Sequence, residues 1–389
     1  MKLNMPGRVV PAAGEWDVIV CGAGVAGIAA ALSARRAGAD RVLLLEREFA
    51  PGGLATLGLI TIYLPLCDGK GTQVSFGIAE ELMRLSVSHG AEEDIPPCWT
   101  GEGSAEERET HRCCCRFNAQ MFACLAEQLL LSSGVDILYG VQLSGAIMNG
   151  STLETVICTQ RTGTEEAYTA RGFVDASGDA SVFSLAGLET REYALGNRLA
   201  SWYYSFEDGR NQLHGLGSAP LPGERVESGF IGLNAQELSR AMTDARARIL
   251  EHFLAGGNYC NAHNLSALPS IPQVRMSRRI IGLATMHLAD KFRCFDDSMG
   301  MISNWREAGP VYELSFGALK GKADNIYAAG RCISCDDEMW DIARVIPCCA
   351  VSGEAAGIAA HLGASVNAVQ AELARRGIPL HVAQLKCKA

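Results

Sequence analysis

A chain of 389 residues that is 48% hydrophobic and 20% charged can bury one large core or two moderate ones, which excludes an intrinsically disordered chain. Its formal charge of -9 argues against a general nucleic-acid binder, whose affinity rests on a basic surface. Fifteen cysteines, odd in number and clustered at Cys113 to Cys115, do not read as a secreted disulfide framework, and no run of four has iron–sulfur ligand spacing.

Residues 1–17 contain no continuous apolar run, and the apolar stretch after them is broken by glycines where a signal peptide or membrane span is unbroken. The expectation is a cytoplasmic protein without a membrane segment. Residues 16–47 predict strand ("WDVIVC"), glycine turn, helix ("GVAGIAAALSARRAG") and strand ("RVLLLE"). The turn places Gly22, Gly24 and Gly27 where a backbone can approach a phosphate closely, at a helix N-terminus whose free N–H groups and dipole favour an anion. Glu46 closes the second strand, about twenty residues after the first glycine, where an acid can accept from ribose hydroxyls. Strand, turn, helix and acid together predict a dinucleotide site. They do not separate FAD from NAD, although Glu46 disfavours the 2′-phosphate of NADP.

A Gly-rich loop ("PGGLATLGLITIYLPL") and a helical stretch ("VSFGIAEELMRLSVSHG") follow, and the polar residues 91–112 predict a surface excursion. Next come a helix ("NAQMFACLAEQLLLSSG") and strands at "VDILYG", "TLETVICTQ" and "YTARGFVDAS". Residues 190–315 change character, with Trp, Tyr, Arg and amphipathic pieces such as "LNAQELSRAMTDARARILEHFLAGG". The chain then returns to its first style with "NIYAAG" and "IPCCAVSGEAAGIAAHLGA". We therefore expect a nucleotide-binding domain split between 14–189 and 316–389 around an inserted domain at 190–315.

The segments "LEREFAPGGLATLGL", "GIAEEL", "VDASGD" and "NIYAAGRCIS…ARVIPCCAVSGEAAGIAA" resemble FAD-dependent oxidoreductases of the glutathione-reductase-like fold, a family that includes relatives of the heterodisulfide reductase flavoprotein. The resemblance covers most of residues 16–362 and is weakest from about 190 to 270. It implies an α/β fold, with a discontinuous Rossmann-like FAD-binding domain and an inserted α+β substrate domain. It also implies residue roles. Gly22, Gly24 and Gly27 would line the pyrophosphate, and Glu46 the adenosine ribose, with Arg47 beside it. Gly52, Gly53, Leu54, Ala55 and Thr56 would wrap the ribityl chain and reach the flavin ring. Val141 would bracket adenine, Gly178 and Asp179 would lie on the adenosine side, and Gly330 and Arg331 by the pyrophosphate and ribityl. Val345 and Ile346 would open a helix aimed at the flavin pyrimidine edge, where dipole and N–H groups stabilise the reduced anion.

In "PQVRMSRRIIG", which resembles the family's "SRRI-x-G" segment, strand alternation puts Arg275 and Arg279 on one face and Arg278 on the other. One set could clamp a carboxylate, or the strand could be a solvated or internally paired face. Relatives carry Thr-His-Glu where this chain has Asp336, Asp337 and Glu338, so a carboxylate replaces the expected histidine. Asp337 or Glu338 could act as the base and Arg344 could bind substrate or flavin, or each could be a loop cap or ion pair. Arg278, Arg279, Asp337, Glu338 and Arg344 are the candidate catalytic residues. The eight histidines show no metal-ligand spacing, so no metal is expected.

The implied function is hydride transfer between flavin N5 and a small organic substrate. A single glycine fingerprint implies a separate electron donor or acceptor, with no nucleic-acid or membrane partner and a homo-oligomer left open. Cys332 and Cys335 form a C-x-x-C, and Cys348 and Cys349 stand near a helix N-terminus where thiol pKa values fall. This leaves a flavin–dithiol disulfide oxidoreductase as one alternative and a flavin-carrying component of an electron-transfer complex as another.

Overall fold

A computed structural model describes residues 9–89, 92–217, 220–257, 260 and 262–385. β1 (Ala12–Cys21), α1 (Val25–Arg36) and β2 (Val42–Glu46) make the expected βαβ unit, with β1 and β2 parallel from Val18↔Val42 to Cys21↔Leu45. After β3 (Ile62–Tyr63) and α2 (Ile78–Val87), the polar stretch forms α3 (Ala105–Thr110), opened by a capping box between Ser104 and Glu107. This stretch is not wholly a surface excursion. Ile95, Cys98 and Trp99 are buried beneath it, and Trp99 Nε1 donates to His111 O at 2.6 Å. An apolar triplet so short has no periodicity to reveal it.

β4 (Cys115–Arg116) pairs with β3, and α4 (Ala119–Ser132), capped by Asn118, leads into β5 (Val135–Tyr139). Then come β6 (Gln142–Asn149), β7 (Thr152–Thr159), β8 (Glu165–Asp175) and α5 (Ser181–Leu185). β6 has no counterpart in the sequence reading, because as an edge strand with no fully buried position it shows no strong alternation. The main sheet runs β5-β2-β1-β8-β7-β6, parallel as far as β8 and antiparallel beyond it.

β9 (Thr190–Glu192) precedes a separate antiparallel sheet of β10 (Ser201–Glu207), β11 (Arg210–Leu216) and β12 (His263–Ala267). α6 (Ala235–Ala255) lies on this sheet through Ile249 and Phe253 against Tyr203. β13 (Arg278–Ile280) returns to pair with β9, and β14 (Ser298–Ser303) with β15 (Val311–Ser315) forms a wholly buried ribbon. β16 (Ile326–Ala328) adds parallel to β8 at Phe173, Val174 and Asp175. The chain closes with α7 (Asp337–Ala343), α8 (Ile346–Leu362) and α9 (Val366–Arg375), and β14 packs on α8 and α9.

Strand alternation in β1 sends Val18 and Val20 into the core under α1 and α8, and Ile19 and Cys21 into a second core with Val156, Phe173 and Phe183. α1 and α8 meet backbone to backbone. A Cβ on Gly353 would lie 2.2 Å from Ala26 O, and one on Gly357 2.1 Å from Ala30 O, so the Ala/Gly-rich character of both helices is a packing requirement. Ser33 Oγ donates to Glu354 O at 2.7 Å across the seam. Glu354 itself, nearly fully buried, accepts from Ile78 N at 2.8 Å and pairs with Arg376 at 3.1 Å, and burial pushes its carboxyl above the usual range. Among the described residues no single helix is long and apolar enough to cross a membrane.

Candidate functional site

The glycine turn at the end of β1 is built as a cradle. Gly22 has φ 104°, and its Cβ would lie 2.5 Å from Ala176 O, so only glycine fits. A Cβ on Gly27 would lie 1.7 Å from Gly22 O, which lets the helix start directly above the turn. Gly24 differs: nothing lies within 4 Å of where its Cβ would be, so this position faces open space. Gly24 caps α1 and no side chain caps the helix, which leaves the amides of the first turn for an anion.

Distant pieces of chain close around this turn. Gly52 N donates to Ala23 O at 2.7 Å, and Gly53, with φ 55°, passes beside Gly24. The short helical turn Gly53, Leu54, Ala55 ends at Thr56, whose Oγ1 donates to Pro51 O at 2.6 Å and holds the loop against the cradle. Glu46 Oε2 accepts from Ala23 N at 2.6 Å and Oε1 from Glu48 N at 2.9 Å. The carboxylate is thereby fixed at the cradle's rim, and each oxygen keeps lone-pair capacity for a ribose hydroxyl. Arg47 is exposed beside it, and buried Val141 donates its N–H to Glu46 O at 3.2 Å.

Gly178, at φ 83°, makes room for Arg331: a Cβ there would lie 2.3 Å from Arg331 Nη2. Arg331 Nη1 donates to Val274 O at 2.5 Å, and Asp179 accepts from Ser181 Oγ at 2.5 Å. Gly330 N donates to Ser352 Oγ at 2.9 Å, which ties this loop to α8. Val345 caps α8 without a side-chain hydrogen bond, and Ile346 begins it, so its first amides are also free of side-chain caps. Uncapped helix ends, an open Cβ direction at Gly24 and an acid at the end of β2 fit the diphosphate and ribose of a dinucleotide.

The candidate catalytic residues divide. Arg278 ties β13 to α5 and the turn before it, donating to Asp179 O at 2.9 Å and Ser184 Oγ at 2.8 Å. Arg279 and Arg275 point the other way, both buried. Arg279 Nη1 lies 2.8 Å from Asp337 Oδ1, yet neither atom is aligned in a hydrogen bond, and its guanidinium lies 4.5 Å from the Trp340 ring centroid. Glu338 is exposed near Gly223, while Arg344 is half-buried and bonded to Asp341 at 2.5 Å. Sequence reading left out Asp341, Arg306 and Tyr193, which stand in the same group. Arg306 Nε donates to Asp341 Oδ2 at 2.5 Å, and burial with Asp337 and Asp341 nearby pushes the Tyr193 hydroxyl up to about 12. Asp341 and Arg344, three apart on one helix face, carried a local signal. Arg306 and Tyr193 come from remote segments and carried none.

At the cysteines, burial outweighs the acidifying effect of a helix end. Cys332 and Cys335 are buried, and burial pushes both thiols up. Burial pushes Cys348 up as well and Cys349 to about 11, even though Arg331 and Arg344 pull Cys349 down, so desolvation outweighs the helix end. Cys294, Glu313 and His381 form a separate cluster whose ligand atoms lie within 4.8 Å of one another. Hydrogen bonds account for it: Glu313 Oε2 lies 3.0 Å from His381 Nδ1 and accepts from Phe295 N at 2.9 Å.

The sequence profile described as FAD dependent oxidoreductase matches residues 17–201 and 199–378. A thioredoxin reductase from Ureaplasma parvum is 33% identical over 73 residues, 19% of this chain; the match spans about a quarter (23%) of that relative's length. Among solved structures, a geranylgeranyl bacteriochlorophyll reductase-like protein from Thermoplasma acidophilum is 14% identical with a TM-score of 0.46, over 94% of this chain and 84% of that one. A flavoprotein/dehydrogenase from Cytophaga hutchinsonii is also 14% identical, with a TM-score of 0.43 over 95% of this chain and 81% of that one.

Proposed function

The chain belongs to the FAD-dependent oxidoreductase family and is an oxidoreductase with FAD as cofactor, and from that premise we propose that it moves a hydride between flavin N5 and a small organic substrate. A separate donor or acceptor completes the electron balance. The observation that carries this reading is the cradle itself, in which Gly24 and the uncapped start of α1 meet the Gly52–Gly53 loop.

FAD, when bound, supplies the two-electron chemistry, so the chain must hold the dinucleotide, orient the substrate and move a proton. Gly22, Gly24 and Gly27 would receive the diphosphate, Glu46 the ribose, and the loop from Gly52 to Thr56 the ribityl chain. Arg331 would close the site from the far side with Gly178, Asp179 and Gly330. The amides after Val345 would face the pyrimidine edge, where they favour negative charge. Asp337, held beside Arg279, is the proposed proton carrier: it takes the substrate's proton when the substrate is oxidised and returns it in reduction. The segment 190–315 would shape access to this site.

Thiol relay through Cys332 and Cys335 is disfavoured by their burial, so Cys332→Ser with Cys335→Ser should leave turnover unchanged; loss of turnover with flavin retained would restore that mechanism. The proposal is tested by anaerobic titration of the FAD-loaded protein with a panel of small metabolites. Bleaching of the visible flavin band by one substrate class, reversed by an added acceptor, is expected. A flavin that no metabolite reduces, and whose chemically reduced form no metabolite reoxidises, contradicts it.

A further inference from the structure

Beside the cradle the chain buries more positive charge than its own carboxylates balance. Arg275 is 8% exposed and Arg279 3%, and the Arg344 side chain is 8% exposed. Asp341 is already shared by Arg306 and Arg344, and Asp337 faces Arg279 without alignment. Arg275 Nη2, Arg279 Nη1 and Arg344 Nε are buried with no hydrogen-bond partner among the described residues. A buried guanidinium N–H with no acceptor is strongly disfavoured unless an anion meets it.

The arginines also adjoin the loops proposed to hold the flavin. Gln273 Nε2 donates to Gly58 O at 2.7 Å, just past the flavin-side loop, and Arg331 donates to the carbonyl of Val274. Trp340, over which Arg279 lies, donates Nε1 to Arg331 O at 2.9 Å. The Arg275 guanidinium lies 5.3 Å from the Trp202 ring centroid. Guanidinium N–H groups left free in this way suit a carboxylate, which accepts from their fork.

We propose that Arg275, with Arg344 and Arg279, is the recognition site for a carboxylate on the substrate, so that the chain acts on small organic acids. This rests on the proposed redox function and names its substrate class. Tyr193, edge-on to Trp340 with ring centroids 5.4 Å apart, can donate a further hydrogen bond to the same anion.

The test uses full-length protein already shown to hold FAD, so failure to bind flavin is scored separately and before it. Succinate and benzoate are titrated against succinamide, benzamide and methyl phosphate, with the flavin spectrum and calorimetric heat both read. Saturable binding of a carboxylate, with the amide at least about tenfold weaker, is expected. Arg275→Met should weaken carboxylate binding by a similar factor with the flavin spectrum and FAD affinity intact, and Arg275→Lys should restore part of it. Equal binding of acid and amide overturns the proposal, as does absence of carboxylate binding into the millimolar range. Tighter binding of methyl phosphate overturns it too, and loss of FAD affinity in Arg275→Met assigns the arginines to the cofactor instead.

Discussion

Gly24 separates a packing role from a binding role. A Cβ there meets nothing, unlike one at Gly22 or Gly27. Gly24→Ala should therefore leave the stability of the flavin-free protein within about 0.5 kcal/mol and weaken FAD by at least about tenfold, because the methyl would stand in the proposed diphosphate site. Urea unfolding and calorimetry check the two halves, and a variant that loses stability but keeps FAD would contradict the assignment. Arg275 offers the opposite case. Burial, with Arg344 nearby, pushes its pKa down to about 9, so the folded protein is penalised while the group is charged. That penalty is full below about 9 and fades as pH rises through it. Arg275→Met should thus stabilise the flavin-free protein by about 1–3 kcal/mol at neutral pH, and the gain should shrink toward alkaline pH. A strongly destabilised variant would show that the guanidinium is compensated. At this scale the glycines were legible because spacing alone encodes close approach. The division of Arg275 and Arg279 from Arg278 followed from alternation, but which arginines lacked partners depended on Asp341 and Arg306, which no local pattern joins.

Between elements, the decisive contact is the seam of α1 with α8, which links the first and last parts of the chain. Gly357→Ala puts a methyl 2.1 Å from Ala30 O, and neither backbone can yield without moving its helix. The expected loss is about 2–4 kcal/mol, with FAD affinity falling in step because α1 carries the cradle. Gly363→Ala, beyond the end of α8 with open space but φ 89°, should cost less, about 1 kcal/mol. Equal losses in the two variants would argue that backbone conformation rather than the seam dominates. The βαβ unit, α4, α6 and α8 could be read from periodicity and glycine placement. β6 could not, because an exposed edge strand has no buried face to betray it, and the buried Trp99 was hidden in a polar run.

Over the whole molecule, one sheet gathers strands from both ends of the sequence: β16 joins β8 at Asp175, while β1 lies on the other edge of β8. The glycine turn, the Gly52–Gly53 loop and the Gly330–Arg331 loop face one region only when this closure is made. The return to strand and helix after residue 315 signalled the closure; the course of 190–315 did not follow, because its strands form short two- and three-stranded sheets in which β9 waits for the remote β13 and β10 for β12. The most direct measurement is FAD binding to the flavin-free full-length chain, by calorimetry and thermal melting together. The account predicts one FAD per chain and, at about a hundred times its Kd, ~2.7 kcal/mol of added stability, lost in Gly24→Ala. No heat of binding and an unchanged melting temperature would contradict it.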